Sequence, residues 1–135
     1  MAADAEAPPR LFVTDFDGTL TRHDFFHLVV EAFSPEHLGQ FWDGYRAGRL
    51  THFEALAGIF AGIRAGEEQM DQLIARAEPD PELAAWVARL RAAGWEVVVA
   101  SAGCEWYIRR ILQRAGWNCR CSPTRGRSPP AAGCT

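Results

Sequence analysis

The sequence predicts an α/β fold: a partial, doubly wound, Rossmann-like parallel sheet with a helical unit inserted into it. Three observations carry that expectation. Two apolar runs, at residues 11–14 and 95–100, have the length and β-branched content of strands. Amphipathic helical patterns precede and follow the second run, which is the order of a βαβ series. The stretch between the first run and that series is helical in period throughout. With 135 residues and 48% hydrophobic content, the chain suits one ordinary domain with a real core.

Residues 1–9 are acidic and proline-rich and read as a disordered leader. Leu11, Phe12, Val13 and Thr14 form a short buried strand, and Asp15 opens the turn DFDGTLT, where Gly18 supplies the backbone freedom of a tight bend. A helical cap is expected over 23–79. Phe25, Phe26, Leu28, Val29 and Phe33 mark its first face, and Phe41, Trp42 and Tyr45 its second. Thr51 and Glu54 have capping-box spacing, and Phe53, Leu56, Ala57, Phe60 and Ile63 continue that helix's apolar stripe. Met70, Leu73 and Ile74 mark a fourth helix.

The core resumes over 80–116, completing the segment 10–22. Asp80 and Pro81 read as N-cap and first helical residue, Leu83, Val87 and Leu90 as the buried face, and Gly94 as the stop. The second strand is apolar at nearly every position, as central parallel strands are. The next helix runs from Cys104 to Ala115 with Tyr107, Ile108, Ile111 and Leu112 inward. Residues 117–135 show no periodicity and no third strand.

Composition excludes several functions. All 14 basic residues are Arg, so P-loop, Schiff-base and Ser–Lys chemistry is absent. A net charge of −3 draws the chain neither to nucleic acid nor to an anionic membrane. The first residues lack the apolar core of a signal peptide, and no apolar run approaches the roughly 18 residues of a membrane span. The four cysteines crowd the last quarter and frame no disulfide scaffold. A cytoplasmic location is expected.

Ligands of open parallel sheets sit at the carboxyl ends of the strands. One strand ends in Asp15-Phe-Asp17, the other in Ser101-Ala-Gly103. Two carboxylates at that spacing suit covalent phosphoryl transfer. Asp15 is the candidate nucleophile, and Asp17 the acid that protonates the leaving oxygen and then the base that activates water. A dianionic phosphate beside two carboxylates calls for Mg²⁺, with Asp15 and Asp17 as the candidate metal residues. Ser101, Ala102 and Gly103, with Thr19 on the first turn, are the candidate phosphate-binding residues, helped by the helix N-terminus behind them.

DFDGTLT after one strand and VVVASAG after a second resemble motifs one and two of the haloacid dehalogenase superfamily. The helical insert resembles that superfamily's C1 cap. The layout looks most like subfamily IB, the phosphoserine phosphatases and the 2-hydroxy-3-keto-5-methylthiopentenyl-1-phosphate phosphatases. The resemblance covers residues 10–116. It implies that Asp15 is nucleophile and Mg²⁺ ligand, that Asp17 is acid/base with a metal-binding backbone carbonyl, and that Ser101 anchors phosphate. The implied substrate is a small phosphorylated metabolite.

The family's pattern also demands a later Lys or Arg and a later acidic pair. Here Lys is absent and no acidic residue follows Glu105. Arg120, Arg125 and Arg127 are the cations available downstream. The expectation is therefore a C-terminally truncated or frameshifted member, with residues from about 117 onward out of frame. The alternative to an active phosphatase is a non-catalytic remnant, and a phosphomutase differs only in the phosphoryl acceptor.

Other residues read more plainly. His23 and His27, four apart with Asp24 between them, have the spacing of a metal site but read as exposed or cap-lining, with substrate contact by His23 or Asp24 a further functional alternative. Trp42, Tyr45 and Phe53 read as cap core. Cys119 and Cys121 are too close together and too unpartnered for a zinc site.

Overall fold

A computed structural model of the chain describes residues 7–33, 38–118 and 132–134. Strand β1 (Arg10–Thr14) is followed by helices α1 (Phe25–Phe33), α2 (Leu38–Arg46), α3 (His52–Ala61) and α4 (Glu67–Arg76). Then come α5 (Leu83–Ala92), β2 (Trp95–Ser101), α6 (Glu105–Arg114) and β3 (Ala132–Cys134). The chain divides into two compact units, residues 1–22 with 79–135, and residues 23–78. Among the described residues no helix is long and apolar enough to cross a membrane.

In the first unit β1 pairs parallel with β2, in the register Phe12–Val97 and Thr14–Val99. This is the α/β parallel architecture the sequence predicts, with α5 packed on β2. Residues paired in a parallel ladder share a face of the sheet. Val97 and Val99 are fully buried, and Phe12 meets Trp86 of α5 edge-on at 6.1 Å. The other face carries Leu11, Val13, Val98 and Ala100, and there Leu11 is 53% and Val13 55% exposed. The expectation of a buried first strand is therefore corrected: only its last residue, Thr14, is buried. The physical reason is position, since β1 lies at the sheet's edge and, among the described residues, its Leu11 and Val13 face is exposed.

The tail also departs from its expected irregularity. Ala132–Cys134 pairs antiparallel with the end of β2, Ala132 opposite Ser101 and Cys134 opposite Val99. Such pairing satisfies N–H and C=O groups along an edge of β2. Most of the expected leader, and Cys119, Arg120, Cys121, Arg125 and Arg127, lie outside the described residues.

The chain path leaves and re-enters this unit side by side. Thr21 and Pro79 form an isolated antiparallel bridge, and the Asp80 N–H donates to Leu20 O at 2.9 Å. Asp80 also accepts from the Glu82 N–H at 2.8 Å, in the turn that leads into the helix. The expected N-cap at Asp80 and first helical residue at Pro81 are corrected: α5 begins at Leu83 with Glu82 as its N-cap and no side-chain cap bond. Leu83 and Val87 are buried beneath that helix.

The second unit is all helical. Asp24 caps α1 by accepting from the Phe26 N–H at 2.8 Å. Phe25, Leu28 and Val29 are its buried face, with Leu73 and Ile74 buried on α4. The capping box on α3 is present: Thr51 Oγ1 accepts from the Glu54 N–H at 3.2 Å, and Glu54 Oε2 from the Thr51 N–H at 2.7 Å. The buried residues of α3 are Ala55 and Ile59, however, whereas Phe53 is 48% exposed. Trp42 packs at right angles to Phe26 at 5.7 Å and is half-buried, but Tyr45 joins Phe53 on the surface. The expected cap core of Trp42, Tyr45 and Phe53 thus holds for Trp42 alone. Tyr45 can keep its hydroxyl edge in water, whereas the exposure of Phe53 reflects which face of α3 packs, with Ala55 and Ile59 inward.

Candidate active site

Asp15 stands one residue beyond β1, between buried Thr14 and fully buried Phe16. Those two neighbours pin the backbone from the covered side and leave Asp15 exposed. Asp15 Oδ1 accepts from the Phe16 N–H at 2.7 Å, which fixes the carboxylate against its own turn. The turn itself is built on Phe16, whose carbonyl accepts from the Thr19 and Leu20 N–H groups at 3.1 and 2.9 Å. Gly18 adopts φ 72°, a left-handed conformation that suits glycine, and its N–H donates to buried Thr21 Oγ1 at 3.2 Å.

The register that pairs Thr14 with Val99 sets Asp15 beside the end of β2, where Ser101 lies two residues further on. Ser101 is buried, and its Oγ accepts from the Gly103 N–H at 3.0 Å. Ala102 is exposed and Gly103 half-buried. This closed turn leads into α6, where Cys104 occupies the N-cap position without a side-chain cap bond.

Asp17 is half-buried, and its Oδ2 accepts from the Tyr107 hydroxyl at 2.7 Å. Tyr107 itself is 3% exposed and sits with its ring 6.2 Å from that of Phe16. Gly103 makes the contact sterically feasible. A Cβ there would overlap the Tyr107 hydroxyl and stand 3.0 Å from Asp17 Oδ2.

The structure thus links Asp17, Gly103 and Ser101 through Tyr107 and the β2 turn, with Asp15 on the adjoining strand end. Thr19 is set apart: it is exposed, and its N–H is committed to Phe16 O. Sequence reading placed Tyr107 on the inward face of its helix with no functional part. The available signal was its hydroxyl, because a buried tyrosine among Ile108, Ile111 and Leu112 requires a polar partner.

The donor chemistry fits Mg²⁺. Asp15 and Asp17 offer hard oxygens on one turn, and this ion is commonly held by one or two carboxylates completed by substrate phosphate and water. Among the described residues no group of three His, Cys, Asp or Glu side chains gathers to hold a metal. His23 instead bonds Glu78 at 3.0 Å, and the His27 ring lies 6.0 Å from that of Phe26.

An aspartate pair thus lies at the end of one strand and a serine turn at the end of its parallel neighbour. The chain belongs to the haloacid dehalogenase-like hydrolase family, whose profile matches residues 12–125. Among solved structures it is similar to a phospho-aspartyl intermediate analogue of phosphoserine phosphatase. That match has 20% identity and a TM-score of 0.60, over 81% of this chain and 53% of the other. A substrate-bound phosphoserine phosphatase complex matches at 18% identity and 0.62, over 95% and 63%. A HAD family hydrolase of Salmonella enterica serovar Typhi matches at 13% and 0.64, over 84% and 40%. At these identities the likeness is one of fold. The chain spans 53% of the first of these structures, 40% of the Salmonella hydrolase and 63% of the substrate-bound complex. Comparison with curated protein sequences gives no match.

Proposed function

We propose that this chain carries the phosphoryl-transfer site of a Mg²⁺-dependent phosphatase acting on a small phosphomonoester, of the phosphoserine or methionine-salvage type. The observation that carries the reading is the pair Asp15 and Asp17 on a turn braced by Phe16, at the carboxyl end of a parallel strand.

An Asp15 carboxylate oxygen attacks phosphorus, and the bond from phosphorus to the leaving oxygen breaks. Asp17 gives that oxygen its proton, so the product alcohol departs and an aspartyl-phosphate remains. Asp17, now a carboxylate, takes a proton from water as the water oxygen attacks phosphorus. The acyl-phosphate bond breaks, releasing inorganic phosphate and restoring both side chains. Ser101 and the turn at Ala102 and Gly103 hold phosphate oxygens, with Thr19 in a lesser part. The Asp15 carboxylate and the Asp17 backbone carbonyl would hold Mg²⁺, which when bound would neutralise charge between the phosphate dianion and the aspartates. The action is placed in the cytoplasm, on a free metabolite rather than on nucleic acid or membrane.

A second reading has its own support. Residues 106–135 carry no acidic side chain, so that stretch offers no third acidic metal ligand, which supports a non-catalytic remnant. Hydrolysis of an aryl phosphate by the 135-residue chain, with and without Mg²⁺, separates the two. The phosphatase reading expects Mg²⁺-dependent turnover that Asp15→Asn abolishes. Folded protein without turnover selects the remnant.

A further inference from the structure

We propose that Tyr107 is a positioning residue for Asp17, with Gly103 as the gap that admits its hydroxyl. The functional half of this proposal rests on the phosphatase reading above; the geometric half does not.

Asp17 sits on a turn, beyond the regular strand, where a short carboxylate has staggered rotamers within reach and little backbone to choose among them. Proton transfer demands that one of these be held, because displacement of about 1 Å lowers rates by roughly 100-fold. α6 supplies a partner that favours one of them. Tyr107 is 3% exposed, its ring lies against fully buried Phe16, and its hydroxyl donates to Asp17 Oδ2 at 2.7 Å. The contact joins residues 90 positions apart, so it ties the turn after β1 to the helix after β2. Phe16 belongs to both sides of the arrangement: it anchors the turn that carries Asp17 and supports the ring that holds it.

Gly103 completes the device. It lies on the proposed phosphate turn, and a methyl group there would overlap the Tyr107 hydroxyl while approaching Asp17 Oδ2 to 3.0 Å. Glycine therefore serves the close passage of the phenol, while its backbone N–H, which any residue but proline would supply, donates to Ser101 Oγ. The proton donor and the phosphate turn are thereby coupled through a single hydroxyl.

The test combines rotamer order with turnover in the full chain. Three-bond Hα–Hβ couplings of Asp17 report whether one staggered rotamer is held. They are expected to be unequal in the wild type and to converge in Tyr107→Phe, which keeps the ring and the core. Gly103→Ala, which displaces the hydroxyl without removing it, is expected to do the same, and to add no further convergence in the Tyr107→Phe background. In aryl phosphate hydrolysis, kcat of Tyr107→Phe falls about tenfold with KM within about twofold, the loss of one hydrogen bond to a charged group.

Converged couplings in the wild type, or unequal couplings that survive Tyr107→Phe, overturn the proposal. So does an unchanged kcat in an active Tyr107→Phe enzyme. Convergence on substitution in a chain without turnover supports the positioning contact and rejects the phosphatase reading instead.

Discussion

At the scale of single residues, close contacts decide what a side chain may be. Gly103 admits a phenol beside the acidic turn, and Gly58 plays the matching part in the helical unit. A Cβ at Gly58 of α3 would overlap the ring of Phe41 on α2. Helix propensity alone favours alanine over glycine by about 1 kcal/mol. Overpacking against an aromatic ring costs about 1–3 kcal/mol, so the contact wins and the sign reverses. Gly58→Ala is expected to lower Tm, and the same change in a Phe41→Ala background to raise it. Thermal unfolding of the pair checks this. The positions of the candidate residues were legible because Asp15, Asp17 and Ser101 occur where strands end, and strand ends follow from apolar runs. Tyr107 was not, because its helical spacing marks it as core, and period carries no information about what a buried hydroxyl touches.

At the scale of elements, local chemistry was read well and burial less so. The box at Thr51 and Glu54 needs only two residues at the right spacing, and it forms. Its Glu54 carboxylate is held below the ordinary glutamate range, first by the backbone N–H of Thr51 and then by the Thr51 side chain. A lowered carboxylate pKa in the folded state stabilises the fold above the unfolded-state value of about 4.3. The contribution is lost as pH falls through the lower, folded-state value. Glu54→Gln keeps the shape but not the charge. It is expected to lower Tm near neutrality, with the gap closing in acid, as a pH series of melting curves would show. The stripe along α3 was misjudged for another reason. Phe53 and Ile59 are equally apolar, and only tertiary packing selects Ala55 and Ile59 for the interior.

At the scale of the whole molecule, the open sheet face dominates. Parallel sheets are ordinarily covered on both faces, yet Leu11 and Val13 are more than half exposed on an edge strand. Exposed apolar edges promote association between chains. Light scattering is expected to show an apparent mass that rises with concentration and falls back in Leu11→Lys; a monomer at every concentration would contradict this. Apolar runs announce strands, but the same run serves a covered face or a bare one, so this exposure could not be read from residues alone. The bridge between Thr21 and Pro79 has a different consequence. It brings the two ends of the helical unit together before that unit begins, so residues 23–78 form a cassette on a pre-aligned neck. Loop-closure entropy changes only logarithmically with length. A shorter or longer cassette, or a plain tight turn, can therefore be spliced at this neck without redirecting the backbone that carries Asp15 and Asp17.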